Sequence, residues 1–265
     1  MATFKITLAY DGTGFVGWQR QASGTSIQGL LEDALSDLDG RPVTVVGAGR
    51  TDAGVHALGQ VAAFSLDREI GAEVLVRAVN ARLPPAVRIV AAAEAPAGFH
   101  PRFSACAKTY RYRIWNGEAI SPFERHYAWH VTGDLDVERM AGAARLVEGR
   151  HDFAAFQASG SDTQTTEREI FSSRLQRFTT RDLRIPRGLC GGELIHYEIT
   201  GDGFLRHMVR TIVGTLVEVG RGRRSVESIA ETIRLRSRAA AGVTAPPEGL
   251  FLVAVSYGAP LAAER

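Results

Sequence analysis

Cysteine, lysine and long hydrophobic runs are all scarce in this chain of 265 residues. Cys106 and Cys190 are the only cysteines; they form no CxxC pair and have no histidines at metal-ligand spacing nearby. We therefore expect a reducing compartment and no structural metal. No apolar run approaches the length of a membrane span, and residues 4–10 are typical of a strand rather than a signal peptide. These features predict a cytoplasmic protein without membrane contact.

Nucleotide-binding signatures are missing as well. The chain contains no Walker A motif, and Gly12-Thr13-Gly14 is too short and wrongly continued for a dinucleotide-binding loop. The sequence therefore predicts no cofactor.

The basic residues are almost all arginine, since Lys5 and Lys108 are the only lysines. Arginine grips phosphate in two places and stacks on bases, which suits nucleic acid, although genome composition alone gives the same enrichment. Two local clusters of basic residues are more informative than the total. The first cluster comprises Arg102, Lys108, Arg111 and Arg113. The second cluster comprises Arg206, Arg210, Arg221, Arg223 and Arg224. Aromatic residues alternate with them, as in a polyanion-binding surface.

The most informative stretch is GRTDAGVHA, residues 49–57, which places Asp52 close to Arg50 in a run with little side-chain bulk. Its glycines allow unusual backbone conformations and the close approach of a ligand. Residues 43–46 and 60–64 on either side are predicted to be short apolar strands. An acid and an arginine between two buried strands favour a functional site; the alternative is a surface turn in which both are solvated.

The first part of the chain predicts the order β-α-β-β-α-β. Ser26 is the expected N-cap of the first helix, which ends at Gly40, and Pro84-Pro85 stops the second. The predicted elements are strand 4–10, helix 26–38, strands 43–48 and 55–65, helix 72–82 and strand 87–94. This is the ferredoxin-like pattern, in which two helices cover one face of an antiparallel sheet.

The second part repeats that order with one additional helix. The predicted elements are strand 108–115, helix 135–147 after Asp134, strands 168–180 and 193–201, helices 205–219 and 225–237, and strand 250–257. We predict an α+β protein of two domains, 1–104 and 105–265. The polar segments 157–167 and 181–192 are expected to be mobile loops that contact a large substrate.

The run at 49–57 resembles the catalytic motif of the tRNA pseudouridine synthase A family. Six further motifs of that family occur in its order: AYDGTGFVGWQ (9–19), TSIQGLLE (25–32), FHPRFSA (99–105), KTYRY (108–112), FLRHMVRTIVG (204–214) and TAPPEGL (244–250). The resemblance covers nearly the whole chain.

The resemblance implies an enzyme that isomerises uridine to pseudouridine at positions 38 to 40 in the anticodon stem-loop of tRNA. It implies two ferredoxin-like halves whose antiparallel sheets flank a central basic cleft, and a homodimer as the working form. The reaction breaks a C–N glycosidic bond, turns the uracil and rejoins it through carbon, so it needs no redox change or energy input.

By the same resemblance, Asp52 is the catalytic carboxylate. It either adds to the ribose or removes a ribose proton to give a glycal, and the sequence leaves both routes open. Arg210 is expected to pair with Asp52 and orient it; a phosphate contact or a helix-face salt bridge is the alternative. Arg50 would occupy the space vacated by a flipped nucleotide.

The resemblance also assigns substrate contacts. Tyr110 would stack on the uracil, whereas Tyr112, on the same face of a regular strand, is expected in the core. Leu250 or Leu252 would line the base pocket. The candidate RNA-binding residues are Arg102, Lys108, Arg111 and Arg206. For His56 and His207 a structural role is favoured over general-acid catalysis, and His56 is expected to pack beneath the Asp52 loop.

Two other functions fit parts of the sequence. An RNA-binding module would keep the basic cleft without catalysis, but the joint presence of Asp52, Tyr110 and Arg210 argues against it. An N-glycoside hydrolase would use one carboxylate to direct water, but the usual paired acids are not evident.

Overall fold

A computed structural model describes residues 1–158, 160, 163–179 and 191–258 of the chain. These residues form two compact units. The first comprises Met1–Lys108 and the chain from Phe251 onward, and the second comprises Thr109–Leu250. The described part is a mixed structure of mostly antiparallel strands and five α-helices, in agreement with the α+β prediction. The division into domains after residue 104 stays a prediction.

The first unit contains a sheet and two helices. Its elements are β1 (Ala2–Tyr10), α1 (Ile27–Asp39), β2 (Val46–Gly47), β3 (His56–Leu66), α2 (Ala72–Asn80), β4 (Val87–Glu94) and β10 (Leu250–Ser256, from Phe251). The strand order is β4-β1-β3-β10, and β2 pairs with the far part of β3. β10 runs parallel to β3, and the other pairs are antiparallel. The order β-α-β-β-α-β over residues 1–94 is therefore as predicted.

Helix α1 has the ends that its sequence predicts. The Ser26 side chain accepts a hydrogen bond from the Gly29 amide, and Gly40 ends the helix in the left-handed region at φ 76°. Its apolar face is buried, with Ile27, Leu31 and Leu35 fully inaccessible.

The predicted strand at 43–48 is wrong in extent, because only β2 forms there. Val43 and Val45 are buried at alternate positions, as in a strand. Their amides, however, donate to the Ser36 hydroxyl and the Glu32 carboxylate of α1, at 3.0 and 3.2 Å. Side chains of the helix thus satisfy backbone groups that a strand ladder would otherwise pair.

Within the described residues, the second unit contains five strands and three helices. Its elements are β5 (Ala107–Gly117, from Thr109), β6 (Trp129–Val131), α3 (Val137–Arg145), β7 (Gly149–Asp152), β8 (Glu167–Thr179), β9 (Gly192–Gly201), α4 (Met208–Gly220) and α5 (Ser228–Leu235). Short 3₁₀ turns lie at Ala154–Phe156, Arg238–Ala240 and Pro247–Gly249. The strand order is β5-β9-β8-β7, with β6 parallel to β5.

The starts of α3 and α4 differ from the predictions for local reasons. Helix α3 is capped by Asp136, whose carboxylate accepts from the Arg139 amide at 2.9 Å, and not by Asp134. Helix α4 begins at Met208 rather than 205, because His207 adopts a left-handed conformation at φ 63° and ends regular geometry there. Leu205 is nevertheless buried, so the predicted apolar face extends beyond the helix. Helices α2 and α5 are also shorter than the predicted 72–82 and 225–237.

The sequence did not reveal β6 and β7. Each is four residues or shorter, and both are held by backbone pairing with a longer neighbour. β7, with the sequence GRHD, has no apolar alternation to mark it.

Two expectations fall largely outside the described residues. Most of the predicted loop 181–192 lies there, together with Cys190, as do residues 159, 161 and 162 of the predicted loop 157–167. Within the described ranges, Cys106 is exposed and no cluster of His, Cys, Asp and Glu could hold a metal ion. No helix in those ranges is both long enough and apolar enough to cross a membrane.

Candidate active site

Asp52 and Arg50 lie in the loop between β2 and β3 of the first unit. The Val55 amide donates to the Asp52 carbonyl at 3.1 Å, and Gly54 adopts φ 77°, so the chain turns tightly just after the carboxylate. Arg50 is exposed and Asp52 is half-buried. Both side chains can therefore be reached from solvent.

A buried polar cluster supports this loop from below. The Tyr10 hydroxyl lies 2.8 Å from the Thr51 hydroxyl, and the Gln60 amide nitrogen donates to the Gly49 carbonyl at 2.9 Å and to the Tyr10 hydroxyl at 3.4 Å. Tyr10, Thr51 and Gln60 are 4%, 7% and 0% exposed. The residues on either side of Arg50 are thus fixed by groups that have no access to water.

The segment after β1 packs directly against the same loop. The Trp18 amide donates to the Thr51 carbonyl at 3.0 Å. Gly17 has φ 103°, and a Cβ there would lie 2.6 Å from the Thr51 carbonyl oxygen. A Cβ on Gly12 would lie 2.1 Å from the Val55 carbonyl oxygen. Only glycine permits these approaches, which explains two glycines of the 9–19 motif.

His56 is buried at the start of β3. It is 1% exposed, and its ring stacks on Phe251 with centroids 4.6 Å apart. The Gly12 amide donates to Nδ1 at 2.9 Å, which places the proton of a neutral ring on Nε2. Asp11 Oδ1 lies 3.1 Å from the same Nδ1, but an atom that accepts from Gly12 cannot also donate to Asp11. These contacts favour the structural role for His56.

Two of the candidate RNA-binding residues also belong to the first unit. Lys108 Nζ donates to the Ala48 carbonyl at 2.7 Å, and a Cβ on Gly49 would lie 3.5 Å from it. The ammonium group therefore adjoins the beginning of the Asp52 loop. Arg102 is exposed in the turn before β5.

The two tyrosines of β5 differ in their surroundings within the second unit. Tyr112 is fully buried, and its hydroxyl donates to the Pro246 carbonyl at 2.7 Å, as expected of a core residue. Burial raises the pKa of Tyr112 well above its usual value. Tyr110 is 8% exposed and meets the edge of the Phe204 ring at 5.0 Å.

Arg210 lies in the first turn of α4. Its Nε donates to the Ala245 carbonyl at 2.7 Å, and its own carbonyl accepts from the Ala245 amide at 3.1 Å. Part of its guanidinium thus anchors the segment before β10. Arg206, just before the helix, is exposed, and Leu250 is 6% exposed at the start of β10.

Two arginines of the first basic cluster form ion pairs with glutamates. Arg111 donates through Nε and Nη2 to one Glu198 oxygen at 3.1 and 2.8 Å, and Arg113 pairs with Glu124 at 2.6 Å. The first basic cluster therefore has a smaller net charge than its sequence suggests.

The candidate residues are distributed over both units. Those in the first unit are Arg50, Asp52, Arg102 and Lys108, and those in the second are Tyr110, Arg111, Arg206, Arg210 and Leu250. The pairing of Asp52 with Arg210 stays a prediction.

Sequence reasoning missed the supporting residues Tyr10, Gln60 and Trp18. One signal was available: Gln60 opens the apolar run 60–64, where a buried amide needs a specific partner.

Comparison with known proteins identifies the family. A family model described as tRNA pseudouridine synthase matches residues 6–104 and 143–258. The tRNA pseudouridine synthase A of Solibacter usitatus (strain Ellin6076) is 49% identical over 260 residues, covering 97% of this chain and 100% of the relative. The proteins of that name from Geobacter sulfurreducens and Geotalea uraniireducens are 44% and 43% identical over 257 residues, again covering 97% of this chain and all of the relative. With most of its length matched in this way, the chain belongs to the tRNA pseudouridine synthase family.

Proposed function

We propose that this protein isomerises uridine to pseudouridine at positions 38 to 40 in the anticodon stem-loop of tRNA, with Asp52 as the catalytic carboxylate. The observation that carries the proposal is the Asp52 loop itself. In a chain of this family, a solvent-accessible carboxylate is held on a backbone that buried side chains fix from beneath.

Asp52 acts at the ribose, by addition or by proton removal, while the uracil is detached and turned. The uridine must first leave the helical stack, which costs a few kcal/mol. Arg50 is exposed two residues before Asp52, where it can fill the vacated space. Tyr110 stacks on the uracil, Leu250 lines its pocket, and Arg210 orients Asp52.

The proposed setting is two ferredoxin-like halves that flank a basic cleft. The first unit supports this through its order β4-β1-β3 with β2 beyond β3. Arg102, Lys108, Arg111 and Arg206 bind tRNA phosphates along the cleft. A cytoplasmic homodimer, as the family resemblance implies, completes the proposal.

The decisive experiment compares the wild type with Asp52→Asn on tRNA that carries tritium at uridine C5. Rejoining uracil through C5 releases that tritium, so the wild type should release it without cutting the strand. The isosteric amide can neither add to the ribose nor take a proton, and the rate should fall by about 10²-fold or more. Asp37→Asn, which removes an exposed carboxylate from α1 in the same unit, is the matched control and should keep the full rate.

Other outcomes identify the other functions. A pure binding module would release no tritium with the wild type. A hydrolase would leave abasic sites and free uracil. Tritium release by Asp52→Asn at the wild-type rate would refute the role of Asp52.

A further inference from the structure

Phe103 presents an aromatic ring to solvent. It is 77% exposed, although a phenylalanine ring is normally covered in a folded protein. It belongs to the turn 99–104, which precedes β5 in the first unit.

The turn is held rigidly by hydrogen bonds to His100. The amides of Arg102 and Phe103 both donate to His100 Nδ1, at 3.1 and 3.2 Å. The Ser104 amide donates to the His100 carbonyl at 2.9 Å, and the His100 amide donates to the Ser104 hydroxyl at 3.1 Å. These bonds fix the backbone of the turn at Phe103, so little backbone freedom remains to be lost on binding.

One ring and one cation lie beside the exposed side chain. The His100 ring lies against Phe103 with centroids 4.3 Å apart and 31° between the planes, and the Arg102 guanidinium carbon lies 5.6 Å from the Phe103 centroid. The Tyr257 hydroxyl donates to the Pro101 carbonyl at 2.8 Å. Lys5 Nζ lies 4.2 Å from the Tyr257 centroid.

We propose that Phe103 is a stacking platform for an unpaired nucleobase of the tRNA, with Arg102 at the adjacent phosphate. The inference rests on the proposed function. Every base offers a π-face to an aromatic ring, and an arginine beside that ring adds charge attraction and stacking of its own. Bases inside a duplex have both faces covered, so the platform takes a base from a single-stranded loop.

The charges favour RNA over a second copy of the chain. Arg102 is exposed and makes no ion pair within the described residues. Two copies that met through this turn by two-fold symmetry would bring the Arg102 side chains together, and like charges would oppose the contact. A polyanion meets no such opposition.

The test measures tritium release at a series of tRNA concentrations. Phe103→Ala should raise KM about 10-fold, within the range of a lost base–aromatic stack, and leave kcat unchanged. Phe103→Trp should keep the wild-type KM. Val90→Ala, which shortens another exposed apolar side chain of the same unit, is the control and should change neither constant.

A direct readout uses the fluorescence of Phe103→Trp. Stacking should quench the added indole when tRNA or a single-stranded oligoribonucleotide is titrated, relative to the wild type, whereas a blunt RNA duplex should not. The quenching isolates contact at residue 103 from any general weakening of binding.

Three results would overturn the inference. They are an unchanged KM in Phe103→Ala, an indole that tRNA does not quench, and a lower molar mass of Phe103→Ala by light scattering, which would assign the ring to a contact between copies. Failure of the proposed function looks different, because the wild type itself would then release no tritium.

Discussion

The Tyr10 hydroxyl is the centre of the buried cluster beneath the Asp52 loop. Burial raises the pKa of Tyr10 to about 12, so the phenol stays protonated at neutral pH and can both donate and accept. One oxygen thereby links Thr51 to Gln60. The position of a loop that carries two polar side chains to solvent depends on a group that solvent does not reach.

Tyr10→Phe should therefore reduce both stability and turnover. It removes the hydrogen bond of the buried Thr51 hydroxyl to Tyr10 and the longer of the two bonds that the Gln60 amide nitrogen donates, and the free energy of unfolding should fall by about 1–2 kcal/mol in urea titrations. A loosened loop should lower kcat for tritium release more than it raises KM. Thr3→Val removes an exposed hydroxyl bond, Thr3 to Ser65, from the same strand pair; it should cost less than about 0.5 kcal/mol. Equal losses in the two variants would contradict the role of Tyr10.

At this scale the sequence located the Asp52 loop and one core tyrosine but not the contacts that hold the loop. The spacing of Arg50 and Asp52 marked the loop, and the core position of Tyr112 was anticipated. Tyr10 and Gln60 lie 50 residues apart in the chain, and no local pattern brings them together. Long-range polar contacts of this kind depend on strand register, which a single sequence specifies poorly.

His196 in strand β9 should make the stability of the fold depend on pH. Burial, followed by the nearby cations Arg111 and Arg113, lowers the pKa of His196 from 6.5 to about 4. Within the described structure its Nε2 is buried without a hydrogen-bond partner, and its ring lies 4.7 Å from that of Phe178. The folded protein therefore keeps this ring neutral.

Stability should fall as the pH drops below 6.5. The unfolded chain binds a proton at His196 near pH 6.5, whereas the folded chain resists it down to about pH 4, so the contribution present above 6.5 is lost between these values. Solvent screens the partly exposed ring, so we expect a loss of about 1–2 kcal/mol. The free energy of unfolding from urea titrations should be higher at pH 7 than at pH 4.5. His196→Phe should remove the part of this difference that His196 causes. An identical pH difference in both proteins would exclude His196 as its source.

Elements were predicted well where a local side chain determines their ends. Ser26 and Gly40 mark α1, and β4 was predicted as residues 87–94, its observed bounds. The failures have non-local causes. Side chains of α1 accept the hydrogen bonds of the Val43 and Val45 amides, and β7 is a polar segment that becomes a strand only through pairing with β8.

The net charge of the whole molecule is only +2, so net charge alone cannot account for affinity for tRNA. Binding then depends on where arginines are left unneutralised rather than on their number. Arg102 makes no ion pair in the described ranges, while Arg111 is held by Glu198.

Raising salt should weaken tRNA binding, and the two arginines should contribute unequally. Arg102→Ala should reduce the slope of log K against log salt concentration by about 1, the value for one lost phosphate contact. Arg111→Ala should reduce the slope by less, because the Arg111 guanidinium must break its ion pair with Glu198 before it can contact a phosphate. Filter binding between 50 and 200 mM salt, roughly the span over which such contacts are resolved, measures both slopes. A wild-type affinity that salt leaves unchanged would contradict the basic cleft.

The pairing of β10 with β3 has a consequence for biosynthesis. Phe251 and Leu252 pair with His56 and Ala57, the strand residues that follow the Asp52 loop. The ribosome makes this loop before the second unit and its β10 neighbour after it, so the nascent first unit carries an open strand edge while the second unit is being translated. A polypeptide released before β10 is made would contain Asp52 beside an unfinished sheet, and only translation through β10 supplies the missing strand.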